Sequence, residues 1–211
     1  MLELSRDEQS LIDFAREEFG DSLTQFILTG LGEEPTAQRW HFTVTFTGDS
    51  GTSEKRRLQV ITHEPVDGTS CLPRGRDPLV LLALLRLLLH AQRRTDYVLV
   101  FREVDLLRLL GWGDTDEVRR EIDEAIYRYS LLMYKWGMNR SELTRRSLSH
   151  YTANAHALSE YRTLDKEAAA TGDQTERVYN SVRLDETFIG GLLSKSLFGV
   201  EWGNVKSIKL T

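Results

Sequence analysis

Asp77-Pro78-Leu79-Val80-Leu81-Leu82-Ala83-Leu84-Leu85-Arg86-Leu87-Leu88-Leu89, followed by Tyr97-Val98-Leu99-Val100-Phe101 and by Val104-Asp105-Leu106-Leu107-Arg108-Leu109-Leu110-Gly111, is the run whose reading decides the fold. An aspartate side chain can cap free backbone N–H groups and proline suits the first helical position, so a helix is expected from Asp77. Leu79 to Leu89 is apolar almost all round, broken only by Arg86, which predicts a helix buried on several sides. It is too short to cross a membrane, which takes about 20 apolar residues. Tyr97 to Phe101 is short, β-branched and aromatic, and reads as a strand. Val104, Leu106, Leu107, Leu109 and Leu110 make a helix of about two turns that Gly111 can end. Asp114, with Glu117 three positions on, has the spacing of a capping box for the next helix. In that helix Val118, Ile122, Ala125 and Tyr129 recur at helical spacing and face the core. Arg119, Arg120, Asp123, Glu124, Tyr127 and Arg128 are left on or near the solvent side.

Two helices joined by the tight Gly111-Trp112-Gly113 turn form a helix-turn-helix candidate, in which the second helix would read a major groove. The strand before them suggests a wing. The order predicts an α+β chain built on a winged helix-turn-helix domain with an N-terminal helix plus β-hairpin extension. A three-helix bundle with no DNA role has the same periodicity.

Working outward, residues 5 to about 28 read as one or two amphipathic helices, with Leu11, Ile12, Phe14, Ala15 and Phe19 on one side. Trp40 to Phe46 alternates polar and apolar, Arg57 to His63 is a second strand, and the turn-rich Gly48 to Lys55 joins them as a hairpin. Beyond the third helix, Leu131 to Trp136 either extends it or becomes the first wing strand, and Ser149 to Tyr161 supplies a returning strand. Arg177 to Leu184 alternates as a strand, and Asp185 to Leu197 reads as a short helix weakened by Gly190 and Gly191. The expected organisation is an extension over 1–75, a winged helix over 76–175, and a strand-helix bridge over 176–211.

A chain of 211 residues with an ordinary apolar fraction can hold one generous domain or two small ones. Met1-Leu2-Glu3-Leu4 leads into a charged amphipathic segment without a secretory pattern, so a cytoplasmic protein is expected. Cys71, the single cysteine, leaves neither an intrachain disulfide nor a cysteine zinc cluster. The five histidines, at positions 41, 63, 90, 150 and 156, show no metal spacing, and Gly190-Gly191 lacks the lysine of a phosphate loop. The adjacent Asp123 and Glu124 do not converge on one substrate. With no catalytic set, no metal site and no cofactor motif, an enzyme is not expected. The net charge of −5 argues against a uniformly basic nucleic-acid binder. Local clusters remain: Arg86, Arg93, Arg94, Arg102 and Arg108 around the first two helices, and Arg128, Lys135, Arg140, Arg145 and Arg146 against the lone acid Glu142. A surface split of this kind suits phosphates on one side, and equally a solvated charged surface.

Leu72-Pro73-Arg74-Gly75-Arg76 with the Asp77 helix, then Val100-Phe101 before Val104 to Gly111, then Arg120-Glu121-Ile122-Asp123-Glu124-Ala125-Ile126, resemble the first winged helix of bacterial plasmid replication initiators of the RepA type. Val178 to Leu184 with Phe188, then Trp202 and Val205-Lys206-Ser207, are similar to the bridge into such an initiator's second winged helix. The resemblance covers about residues 72 to 211, and by it the second winged helix would begin where the sequence reaches Thr211. It implies binding of double-stranded DNA at origin repeats, recruitment of host replication proteins, and repression of the protein's own gene as a homodimer. Arg119, Arg120, Tyr127 and Arg128 are the candidates for groove contact, and Arg93, Arg94, Arg140, Arg145 and Arg146 for phosphate contact. The candidate reading helix also carries Asp114, Asp116, Glu117, Glu121, Asp123 and Glu124, which suit the helix dipole and oppose phosphates. That acidity, with the edges of the N-terminal hairpin, favours the alternative of a protein-interaction or dimerisation module.

Overall fold

The computed structural model describes residues 3–33, 39–47, 51–62, 72–91, 96–137, 152–163, 180–198 and 200–210. The fold is α+β, with helices packed on antiparallel sheets. Helix α1 (Arg6–Phe19) opens with a full capping box: Glu8 N–H donates to Ser5 Oγ, and Ser5 N–H donates to the Glu8 carboxylate. Helix α2 (Asp21–Ile27) follows after Gly20, and β1 (Arg39–Thr47) and β2 (Ser53–Thr62) form the expected hairpin. Then come α3 (Asp77–His90), β3 (Val98–Phe101), α4 (Glu103–Leu110) and α5 (Asp116–Ser130). After these lie β4 (Leu132–Gly137), β5 (Thr152–His156), β6 (Leu158–Thr163), β7 (Asn180–Leu184) and α6 (Glu186–Leu193). The short pair β8 (Ser196–Leu197) and β9 (Val200–Glu201), a 3-10 turn at Trp202–Asn204, and β10 (Val205–Leu210) complete the chain.

Helix α3 is buried from Asp77 through Leu85 and again at Leu88 and Leu89, as its all-round apolar sequence requires. Its start departs from expectation. Asp77 is the first helical residue rather than the cap, and its carboxylate accepts the Arg74 N–H and a pair of bonds from Arg128. Helix α5 likewise takes Thr115, not Asp114, as its cap, through the Val118 N–H, because Asp114 is drawn to Arg119. Gly111 does end α4, in the left-handed region at φ 67°, and a side chain there would run into Asp7 of α1.

The strands form a five-stranded sheet, β10-β1-β2-β4-β5, and a three-stranded sheet, β3-β7-β6. The larger sheet draws strands from all three expected stretches of the chain. Leu131 to Trp136 does leave the helix as a strand, but β4 pairs with β2 of the hairpin and with β5. β10 folds back along β1. The inner face of this sheet is aromatic: Phe26 of α2 packs on Phe42 at 5.3 Å and Trp202 at 5.1 Å, and Tyr134 stacks on Phe188 of α6. By strand alternation the other face presents Arg39, His41, Thr43 and Thr45 of β1, Lys55, Arg57, Gln59 and Ile61 of β2, Met133 and Lys135 of β4, and Ser207 and Lys209 of β10. No helix among the described residues is long and apolar enough to cross a membrane.

Candidate nucleic-acid interface

Helices α4 and α5, joined through Gly111-Trp112-Gly113, are positioned by a buried carboxylate the sequence reading passed over. Glu8, 1% exposed, accepts the Trp112 indole N–H at 2.9 Å and lies 3.2 Å from Arg76 Nε. One side chain therefore ties α1 to the turn and to the start of α3. On the opposite side, Tyr161 of β6 donates its hydroxyl to Asp123 at 2.6 Å. Burial, and then that bond, push the Tyr161 phenol well above its ordinary range. Asn180 of β7 donates to Glu103, which also holds Arg119 at 2.8 Å. These contacts seat α5 on the β6–β7 pair.

The four α5 candidates divide in two. Arg119 is held by Asp114 through two hydrogen bonds, at 2.7 and 3.0 Å, and by Glu103 through a third. The Asp114 hydrogen bonds, more than any other cause, raise its pKa further above an already high value. Arg128, expected near solvent, is buried at 8% exposure, with Nε and Nη2 on the two Asp77 oxygens at 2.7 and 2.9 Å and Nη1 3.3 Å from Glu124. Burial is the largest influence on its charge and opposes it, and the Asp77 and Glu124 contacts together outweigh that, so the guanidinium stays charged. Its role is to join α5 to α3. Arg120 and Tyr127 point outward: the Arg120 side chain is 70% exposed, 3.8 Å from Glu124, and Tyr127 is 45% exposed. Asp116, Glu117, Glu121 and Glu124 share this exposed surface, which is acidic overall.

Between α5, the turn and the start of α3 lies an open cleft of about 510 Å³, lined by Arg74, Arg76, Trp112 and Arg120 among others, with Asp77, Glu121 and Glu124 interspersed. Arg74 and Arg76 were not among the expected contacts, although Arg74-Gly75-Arg76 directly before Asp77 was there to be read. Arg93, Arg94, Arg140, Arg145 and Arg146 lie outside the described residues. Among the described residues no group of three or more His, Cys, Asp or Glu converges on a metal position.

No family model and no curated protein matches the chain. Among solved structures it is similar to a crystal structure of RctB domains 2-3, at 18% identity and a TM-score of 0.49, covering 83% of this chain and 61% of that one. It is also similar to a selenomethionine derivative of domains 2 and 3 of RctB, at 19% identity and a TM-score of 0.48, covering 78% of this chain and 57% of that one. The chain thus spans less than two thirds of the length of either structure.

Proposed function

We propose that the chain is a DNA-binding module of a replication initiator, with a winged helix at its centre, that takes duplex origin repeats and represses its own gene. The observation that carries this reading is the connectivity of α3, β3, α4, α5, β6 and β7 with the sheet order β3-β7-β6. Helix, strand, two helices joined by a tight turn, and a strand pair whose last member lies in the middle are the order a winged helix has, which supports this reading. The motif resemblance over residues 72 to 211 supports the initiator class. In this reading α5 enters a major groove, Arg120 and Tyr127 face the bases, and Arg74 and Arg76 flank the backbone. The acids along α5 limit how deeply it inserts, so most phosphate contacts come from other elements. A mobility shift with the DNA flanking the gene, at two salt concentrations, tests this. Specific retardation that weakens at the higher salt is expected, and absence of retardation at low salt contradicts it.

A second reading, docking of a protein partner or a second copy, is favoured by strand β3. It is an edge strand, and Val100 upon it is 60% exposed, with Val104 of α4 at 37%. Light scattering on the free chain tests it: a stable dimer that Val100→Lys dissociates selects this reading, and a monomer at all concentrations removes the homodimer.

A further inference from the structure

The outer face of the five-stranded sheet carries charge of one sign. Its cations are Arg39, Lys55, Arg57, Lys135 and Lys209, and the alternation that places them there puts no Asp or Glu of β1, β2, β4 or β10 beside them. The nearest acid in the hairpin, Glu54, pairs with Phe46 and so belongs to the other face. Cross-strand register brings the cations together: Thr43 of β1 lies opposite Lys209 on one side and Arg57 on the other, and Thr45 lies opposite Lys55. Gln59, next along β2 on the same face, lies opposite Lys135. Arg39, Lys55, Arg57 and Lys209 are exposed and Lys135 is half-buried, and none of the five forms an ion pair with another described residue.

This arrangement forgoes cross-strand ion pairs that the chain could have made. Opposite charges placed across strands stabilise a sheet, whereas like charges repel, and a chain with a net charge of −5 has ample acid to intersperse. Lys55 and Arg57 are two residues apart on one strand, about 6.6 Å, and Arg57 and Lys209 are two strands apart, about 9.6 Å. Spacings of this order suit successive phosphates on a polynucleotide. Thr43, Thr45, Ser207 and Gln59, set among the cations, add hydroxyl and amide donors of the kind that bind phosphate oxygens. The residues of β1, β2, β4 and β10 on this face include no Phe, Tyr or Trp, and His41 is the one aromatic ring among them, so successive unpaired bases find no run of rings on which to stack. A duplex, whose backbone alone is presented, is the occupant that fits.

We infer that the outer face of the five-stranded sheet is a second DNA-contacting surface, which lies against the sugar-phosphate backbone of a duplex without reading its sequence. This rests on the DNA-binding reading above and supplies the phosphate contacts that α5 lacks. It leaves sequence discrimination to Arg120 and Tyr127.

The test uses the full chain and a fluorescent 30-base-pair duplex, with affinity measured at 50 and 200 mM salt. The variant K55Q/R57Q/K135Q/K209Q removes four contacts, each contributing close to 0.9 to the salt slope, so the unaltered chain should lose about 150-fold more affinity than the variant between the two salts. The charge-retaining K55R/K135R/K209R should keep the original slope, which separates charge from any disturbance of the sheet. R120Q/Y127A should lose preference for the cognate repeat and keep the slope. Equal salt dependence in the four-fold variant and the unaltered chain overturns the inference while leaving α5 as the reader. A loss in the four-fold variant with R120Q/Y127A indistinguishable from the unaltered chain upholds the sheet surface and removes the α5 assignment. Tighter binding of the single strand than of the duplex, lost in the four-fold variant, overturns the duplex, and no duplex binding at 50 mM salt overturns both.

Discussion

Helix α5 and the outer face of the five-stranded sheet are both rich in charged side chains, and they use them in opposite ways. On α5 every arginine has an acid: Arg119 has Asp114 and Glu103, Arg120 has Glu124, and Arg128 has Asp77 and Glu124. On the sheet Lys55, Arg57 and Lys209 stand beside Thr43 and Thr45 with no acid opposite. Charges answered within the fold hold elements together, and charges left unanswered are available to a partner. The helix that looks like the reader is therefore mostly engaged in structure, and the surface that looks like scaffold is the more cationic of the two.

Breaking an answered charge should have the largest effect. Asp77→Ala or Arg128→Ala leaves one buried ion without its partner and should cost about 3–5 kcal/mol, read as a lower denaturant midpoint. The double variant D77N/R128M should cost less than either single change, because no lone charge remains buried. Losses that simply add would mean the two groups do not act as a pair.

Alkaline pH should sharpen the comparison from the core outward. Burial raises the pKa of Tyr129 on α5 and of Tyr134 on the inner sheet face, both buried. A group with a raised folded pKa contributes stability that is complete below its unfolded value and lost above it. Above about pH 10 each of these tyrosines should therefore remove about 1.4 kcal/mol per pH unit. Unfolding curves between pH 9 and 11 check this, and Tyr134→Phe should flatten the fall. At the acid end the change should be smaller. Hydrogen bonds from Arg102 hold the Asp105 carboxyl below its ordinary range, so that pair stabilises above about pH 4 and is lost as the pH falls through the lowered value.

The smallest effect belongs to the unanswered charges. K55Q/R57Q/K135Q/K209Q should leave the unfolding midpoint within about 0.5 kcal/mol per position of the original, or raise it, since these side chains hold nothing together. A large destabilisation would show them to be structural and would erase the contrast with α5.

Much of the fold was legible because its signals are local. Asp77-Pro78 and Gly111 bracket helices, Tyr97 to Phe101 could only be a short strand, and the alternation in Trp40 to Phe46 named its own buried side. The Asp77 and Asp114 caps were misplaced because each carboxylate is taken by a guanidinium: Asp114 by Arg119, five residues on, and Asp77 by Arg128, 51 residues away and invisible to any local pattern. Arg128 occupies a helix position between Ala125 and Tyr129, where burial depends on whether an acid waits on the neighbouring helix. The pairing of β4 with β2 and of β10 with β1 joins residues distant in sequence, and no local pattern announces it. The cationic face was hidden for the same reason. Glu54-Lys55-Arg56-Arg57 reads as a mixed run along the chain, and only the period of two, with Lys209 brought across from β10, sorts its charges by side.

The most direct test of the account is to map duplex contacts by amide chemical shifts in the full chain, titrated with the cognate repeat. The account predicts perturbation in two patches at once, around Arg120 and Tyr127 on α5 and around Thr43, Lys55, Arg57 and Lys209 on the sheet, with the sheet patch alone persisting on an unrelated duplex. Shifts confined to the β3 edge around Val100, or none at saturating duplex, would contradict it.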